Sequence, residues 1–77
     1  VLINVKVSAE GKLAFYTDKE AKAEINRVTE ILGDRGRILV RVSGTEPLVR
    51  VMLEGENLEE IQNLAEEAAQ VVRERLS

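Results

Sequence analysis

Apolar and polar residues alternate from the first position of the chain. Ile3, Val5 and Val7 fall on one side, and Leu2, Asn4 and Lys6 on the other. A period of two with one strongly apolar side predicts a strand. Ser8–Lys12 reads as a turn or loop, and Leu13–Tyr16 as a short extended piece that would add a fourth strand. The period then lengthens. Ala21, Ile25, Val28 and Leu32 form one helical stripe, with Thr17 and Glu20 at capping-box spacing before it and Gly33 where a C-terminal cap glycine stands. From Arg37 the period of two returns. Ile38, Val40 and Val42 oppose Arg37, Leu39 and Arg41; beyond the turn Ser43–Pro47, Val49, Val51 and Leu53 oppose Arg50 and Met52. Two such runs joined by a short loop predict a hairpin. Asn57 caps a last helix with Glu60 in the reciprocal position, and Leu58, Ile61, Ala65, Ala68, Val72 and Leu76 form its apolar stripe. Its acidic residues crowd the N-terminal half and Arg73 and Arg75 the end, both favourable to the helix dipole.

The predicted order is therefore β-α-β-β-α. This is an α+β domain of two layers, a mainly antiparallel sheet of three or four strands covered on one face by two helices. Strand parity places Asn4, Lys6, Arg37, Arg41 and Arg50 on the uncovered face. That face is too charged for core, yet it also carries Leu39 and Met52, so it is expected to rest partly against another domain.

Composition narrows the function. Seventy-seven residues make a single domain, residues 1–77, of a size that buries only about 60% of its unfolded surface. With one Phe, one Tyr and no Trp, the core must be aliphatic. The first residue is Val1 and already belongs to a strand. The chain is expected to be the end piece of something longer, with processing of a precursor as the alternative. A net charge of −3 argues against nucleic-acid binding. The absence of cysteine excludes disulfides and thiolate metal sites, and fits a cytoplasmic protein. No apolar run is long enough to span a bilayer, so no membrane partner is expected. The acidic stretch Glu54, Glu56, Glu59 and Glu60 lacks histidine and calcium-loop spacing, so no metal is expected on this domain.

The chemistry concentrates at the hairpin. Arg41 and Arg50 flank a Ser43-Gly44-Thr45 turn. Guanidinium groups fit phosphate oxygens in bidentate fashion. Gly44 lets backbone N–H groups approach an anion, as in a nest, and Ser43 and Thr45 add short donors. Glu46 is of the wrong sign for a phosphate; it neutralises an arginine, caps the turn or meets a ligand hydroxyl or amine. Pro47 stiffens the loop exit. The plainer alternative is solvated strand charge, Arg41 and Arg50 being either left to solvent or paired with Glu46 or Glu54. Lys6, Arg35 and Arg37 either extend a positive field or are ordinary surface charges. With no histidine, no cysteine and no nucleophile–base pair, the domain reads as a binding part of a catalyst.

The run Arg41-Val42-Ser43-Gly44-Thr45-Glu46-Pro47-Leu48-Val49-Arg50-Val51-Met52-Leu53-Glu54-Gly55 resembles the phosphate-binding loop of the α-D-phosphohexomutases. The opening Leu2-Ile3-Asn4-Val5-Lys6-Val7 is similar as well, so the resemblance spans essentially the whole chain, as the fourth and last domain of such enzymes. The continuation Leu48-Val49-Arg50-Val51-Met52 is most similar to the glucosamine branch; the mannose and glucose branches are the alternatives. The resemblance implies a TATA-binding-protein-like fold and a place in an isomerase of carbohydrate metabolism. That enzyme interconverts glucosamine 6-phosphate and glucosamine 1-phosphate for cell-wall precursors, through a phosphoserine in its first domain. Mg²⁺ would lie in the second domain, outside this chain, with no cofactor on this domain. The partners implied are a phosphosugar and the other three domains. Arg41, Ser43, Gly44 and Thr45 would grip the phosphate not being transferred, Arg50 would assist, and Glu46 is carried over as a loop contact without a defined role. Outside the family, a βαββα interaction module, RNA-binding or regulatory, is the rival; the acidic charge and missing stacking aromatics speak against RNA.

Overall fold

In a computed structural model that describes residues 1–77, strand β1 (Leu2–Lys6) buries Val5 and continues to a buried Val7, while Leu2, Asn4 and Lys6 face solvent. The hairpin forms as the alternation predicts: β2 is Gly36–Val42 and β3 is Leu48–Gly55. The sheet has three antiparallel strands in the order β1-β3-β2. β3 is thus the central strand although it comes last in sequence. Val49, Val51 and Leu53 on β3 are completely buried; burial of such side chains stabilises by about 1.5–3 kcal/mol each.

Two long helices, α2 (Lys19–Leu32) and α3 (Leu58–Leu76), cover one face of the sheet. Together with β1 and β3 they enclose one core of 14 apolar residues. The stripe of α2 buries Ala21, Val28 and Leu32, with Ile25 half-buried. The stripe of α3 departs from expectation at one position. Leu58 is 66% exposed, and Leu64 and Ala69 are buried beside the predicted members. Leu58 is the first residue of the helix. Gly33 ends α2 with a φ of +52°, the left-handed conformation that glycine adopts without a Cβ penalty. A single 3₁₀ turn, Gly33–Arg35, then delivers the chain to β2.

The segment after β1 is not as predicted. Ser8–Lys12, expected as a loop, and Leu13–Tyr16, expected as an extended piece and fourth strand, form a short helix, α1 (Ala9–Ala14), and the turn that follows. The Ser8 hydroxyl caps it by accepting the Gly11 N–H at 2.9 Å. Gly11 is buried against the end of α3: a Cβ at this position would overlap the Leu76 carbonyl. The Ser8 N–H and hydroxyl donate to that same carbonyl oxygen. α1 exists because the C-terminus of α3 receives it. Leu13 and Tyr16, whose apolar character suggested a strand, remain exposed.

The cap of α2 also shifts by one residue. Asp18, not Thr17, is the N-cap and accepts the Ala21 N–H at 2.9 Å, while the Thr17 hydroxyl donates to Ala14 O. Asp18 Oδ2 lies 3.1 Å from Arg75 Nη2 at the far end of α3. One carboxylate thus serves a cap and a helix–helix tie. The Ala21 N–H, and next the Arg75 guanidinium, hold the Asp18 carboxyl below its usual pKa. A lowered carboxylate pKa adds stability above the unfolded value, lost as pH falls through the folded one. Asp18→Asn, which keeps a cap acceptor and loses the charge, is expected to melt below the parent at pH 7. The gap should narrow as pH is lowered from about 4; thermal melts followed by circular dichroism at a series of pH values measure it. Asn57 caps α3 as expected, accepting the Glu60 N–H at 2.9 Å. The Glu60 side chain does not reciprocate; it pairs with Arg35 at 2.7 Å.

Candidate functional site

The hairpin register sets Arg41 of β2 directly opposite Arg50 of β3. Ser43 N–H donates to Leu48 O at 2.9 Å. Counting back along the ladder, Arg41 and Arg50 are then a hydrogen-bonded pair, with Cα atoms about 5.5 Å apart. On the other side of β3, Asn4 of β1 stands opposite Arg50. Val1 and Leu53 exchange backbone hydrogen bonds. Asn4–Arg50 is therefore one of the narrow pairs of that ladder, where side chains lie closer. The row Asn4–Arg50–Arg41 crosses the whole sheet on the face the helices leave open.

Neither arginine has a carboxylate partner, so the pairings with Glu46 or Glu54 do not form and both charges stand in solvent on the open face. Glu54 is taken by Arg37 at 3.0 Å. Glu46 pairs with nothing; its backbone N–H bonds Ser43 Oγ at 3.2 Å. Four other arginines meet acids, Arg37 with Glu54, Arg27 with Glu24 and Glu67, Arg35 with Glu60 and Arg75 with Asp18, while Arg73 donates to the Gln70 side-chain oxygen. Glu24 and then Glu67 raise the Arg27 pKa above its ordinary value. Like charges directly opposite in a sheet are destabilising, so the Arg41–Arg50 pair gains most from an anion set between the two side chains. Arg35 and Arg37 do not extend this field, because their charges are already met. Lys6, on the same face as Arg50, has no carboxylate within ion-pair distance.

The loop Ser43–Pro47 is closed at both ends by backbone. Besides the Ser43–Leu48 bond, Leu48 N–H donates to Glu46 O at 2.8 Å, and Pro47 O accepts Val7 N–H at 2.9 Å. Within the loop, the N–H groups of Thr45 and Glu46 both point at Ser43 Oγ, at 3.4 and 3.2 Å. Gly44 N–H and the Thr45 hydroxyl have no partner in the chain. The loop thus brings adjacent donors to one side without a left-handed residue: Gly44 has no positive φ. The expected reason for a glycine there, backbone freedom, does not apply in this conformation. A Cβ on Gly44 would meet nothing within 4 Å, so neither backbone conformation nor packing within this domain requires glycine there.

A concavity of about 350 Å³ continues from the arginines along the sheet, lined by Leu2, Leu39, Arg41, Arg50 and Met52. Leu2, Met52 and Leu39 form the next row across the three strands. Parity had placed Leu39 and Met52 on this face; Leu2, Asn4 and Lys6 join the neighbourhood only because β3 inserts between β1 and β2.

Residues 2–71 match the family described as phosphoglucomutase/phosphomannomutase, C-terminal domain. The chain is 50% identical over 76 residues to a phosphoglucosamine mutase of Clostridium botulinum (strain 657 / Type Ba4), an alignment covering 99% of the chain. It is 46% identical over 77 residues to one from Thermoanaerobacter sp. (strain X514), covering 100% of the chain. It is 45% identical over 75 residues to one from Clostridium tetani (strain Massachusetts / E88), covering 97%. The chain spans 17% of the length of each of these relatives.

Proposed function

The chain belongs to the phosphoglucomutase/phosphomannomutase C-terminal domain family, and from that premise we propose that it is the phosphate-clamping domain of a phosphoglucosamine mutase. In this reading it is the last of four domains, and the enzyme interconverts glucosamine 6-phosphate and glucosamine 1-phosphate. The glucosamine branch is preferred over mannose and glucose because the relatives reported above carry that name. The observation that carries the clamp is the Arg41–Arg50 pair, opposed across the hairpin without a carboxylate, beside a loop with unpartnered donors.

The chemistry follows from the residue types. Two guanidinium forks grip a phosphate dianion with charge-assisted bonds and fix its orientation. Gly44 N–H and the Thr45 hydroxyl supply further donors. The N–H groups of Thr45 and Glu46, now resting on Ser43 Oγ, can turn to a phosphate oxygen while the Ser43 hydroxyl donates its own proton. Glu46 contributes its backbone and keeps its carboxylate in solvent. A clamp that reads only a phosphate accepts either end of the sugar. A mutase that moves phosphate between two positions of one ring requires that indifference. Holding the unreactive end spends remote binding energy on orienting the reacting one, and closure of such a domain over the cleft excludes water.

No group of carboxylates here fits a metal: Glu54 and Glu60 are each held by an arginine. The Mg²⁺ implied by the family belongs to another domain, and no step on this chain depends on it. No helix is long and apolar enough to cross a membrane; in this reading the enzyme acts on a charged sugar phosphate in the cytoplasm. Amide chemical-shift titration with glucosamine 6-phosphate tests the proposal. Saturable shifts are expected at 41–46 and at Arg50, and none with unphosphorylated glucosamine. Equal responses to both ligands would reject a phosphate clamp.

A further inference from the structure

We infer that Lys6 of β1 is a third phosphate-binding residue of this site, an inference that rests on the phosphate-clamp reading above. Lys6 pairs with Leu48, two residues before Arg50 on β3. Lys6 and Arg50 are therefore diagonal neighbours on one face, with separations of about 7–8 Å. Ser43 joins the other side of Leu48 through its backbone hydrogen bond. Lys6, Leu48 and Ser43 thus form the row next to Asn4–Arg50–Arg41, at the mouth of the loop. A lysine here can lean over the arginines on its flexible stem and add a point charge to their planar forks.

Charge distribution supports the same assignment. The open face of the sheet carries Lys6, Arg37, Arg41 and Arg50 against Glu54, on a chain whose net charge is −3. Arg37 and Glu54 cancel at the far end of the hairpin. What remains is Arg41, Arg50 and Lys6 on two neighbouring rows of one face, with only Glu46 of opposite sign in the adjoining loop. Like charges on adjacent strands are mildly unfavourable even in solvent, and a phosphate dianion set against Arg41, Arg50 and Lys6 offsets their repulsion. Sequence distance hides this arrangement, because Lys6 reaches the hairpin through β1–β3 pairing alone.

The test is steady-state kinetics of the full-length enzyme with glucosamine 6-phosphate. Lys6→Gln is expected to raise KM about five- to tenfold with a smaller change in kcat, and to make kcat/KM less sensitive to salt. Lys6→Arg should restore most of the loss. Lys22→Gln, which removes an exposed lysine of α2 on the helical side, should change nothing. If Lys6→Gln stays within about twofold of wild type while Arg41→Ala is strongly impaired, the Lys6 assignment falls and the clamp stands. Wild-type kinetics from both variants would remove both. Equal impairment of Lys6→Gln and Lys6→Arg, with a lowered melting temperature, would mean that Lys6 serves the packing of β1 and not the anion.

Discussion

Arg41→Ala in the full-length enzyme is expected to lower kcat/KM by about 30- to 150-fold, the equivalent of one or two charge-assisted hydrogen bonds worth about 2–3 kcal/mol. Both KM and kcat should suffer, since a phosphate held by one fork is both weaker bound and less well oriented. The same substitution relieves the repulsion between Arg41 and Arg50 on adjacent strands. Thermal stability should therefore be unchanged or slightly raised. The two readouts move in opposite directions only if the pair is kept for a ligand. An arginine with a structural ion pair would lose stability on removal and leave turnover alone. Steady-state kinetics and a melting curve on one preparation decide the matter, and kinetics matching wild type would end the clamp proposal.

Gly11→Ala is expected to destabilise the domain by about 3 kcal/mol, a large part of the roughly 4–12 kcal/mol that a chain of this size commands. Helix propensity, applied once α1 is known, predicts the opposite sign: alanine is favoured over glycine in a helix by about 1 kcal/mol. The structure reverses it because the new Cβ would overlap the Leu76 carbonyl, and the obstacle is helix backbone, which yields only at the cost of the last turn of α3. Urea unfolding of the two proteins gives the sign directly. A more stable alanine variant would show that α1 does not dock on the end of α3 as described.

The hairpin and its exposed arginines were legible because each depends on short-range regularity. Alternation placed Val49, Val51 and Leu53 inside and Arg41 and Arg50 outside, and the buried and exposed faces of β2 and β3 follow it. The pairing of charges was not legible. Glu54 lies four residues from Arg50, about 13 Å along an extended strand, whereas the register sets Arg37 directly opposite Glu54, and Arg37 takes it. Leaving Arg41 and Arg50 unpaired is a consequence of that register, and it is what turns a charged hairpin into a candidate anion site.

By itself, then, the sequence determined the long elements, their buried stripes and the face on which the arginines stand, since periods of two and of 3.6 residues are written locally and act before any distant contact forms. Tertiary structure alone decided the rest. It made α1 out of a segment with no helical period, by offering Gly11 and Ser8 the end of α3. It chose Asp18 over Thr17 as a cap, where the carboxylate also meets Arg75 across 57 positions of chain. It threaded β3 between β1 and β2 and so brought Asn4 and Lys6 to the arginines. Each of these outcomes pairs groups far apart in the chain, and no local pattern records which distant partner a residue will meet once the sheet has closed.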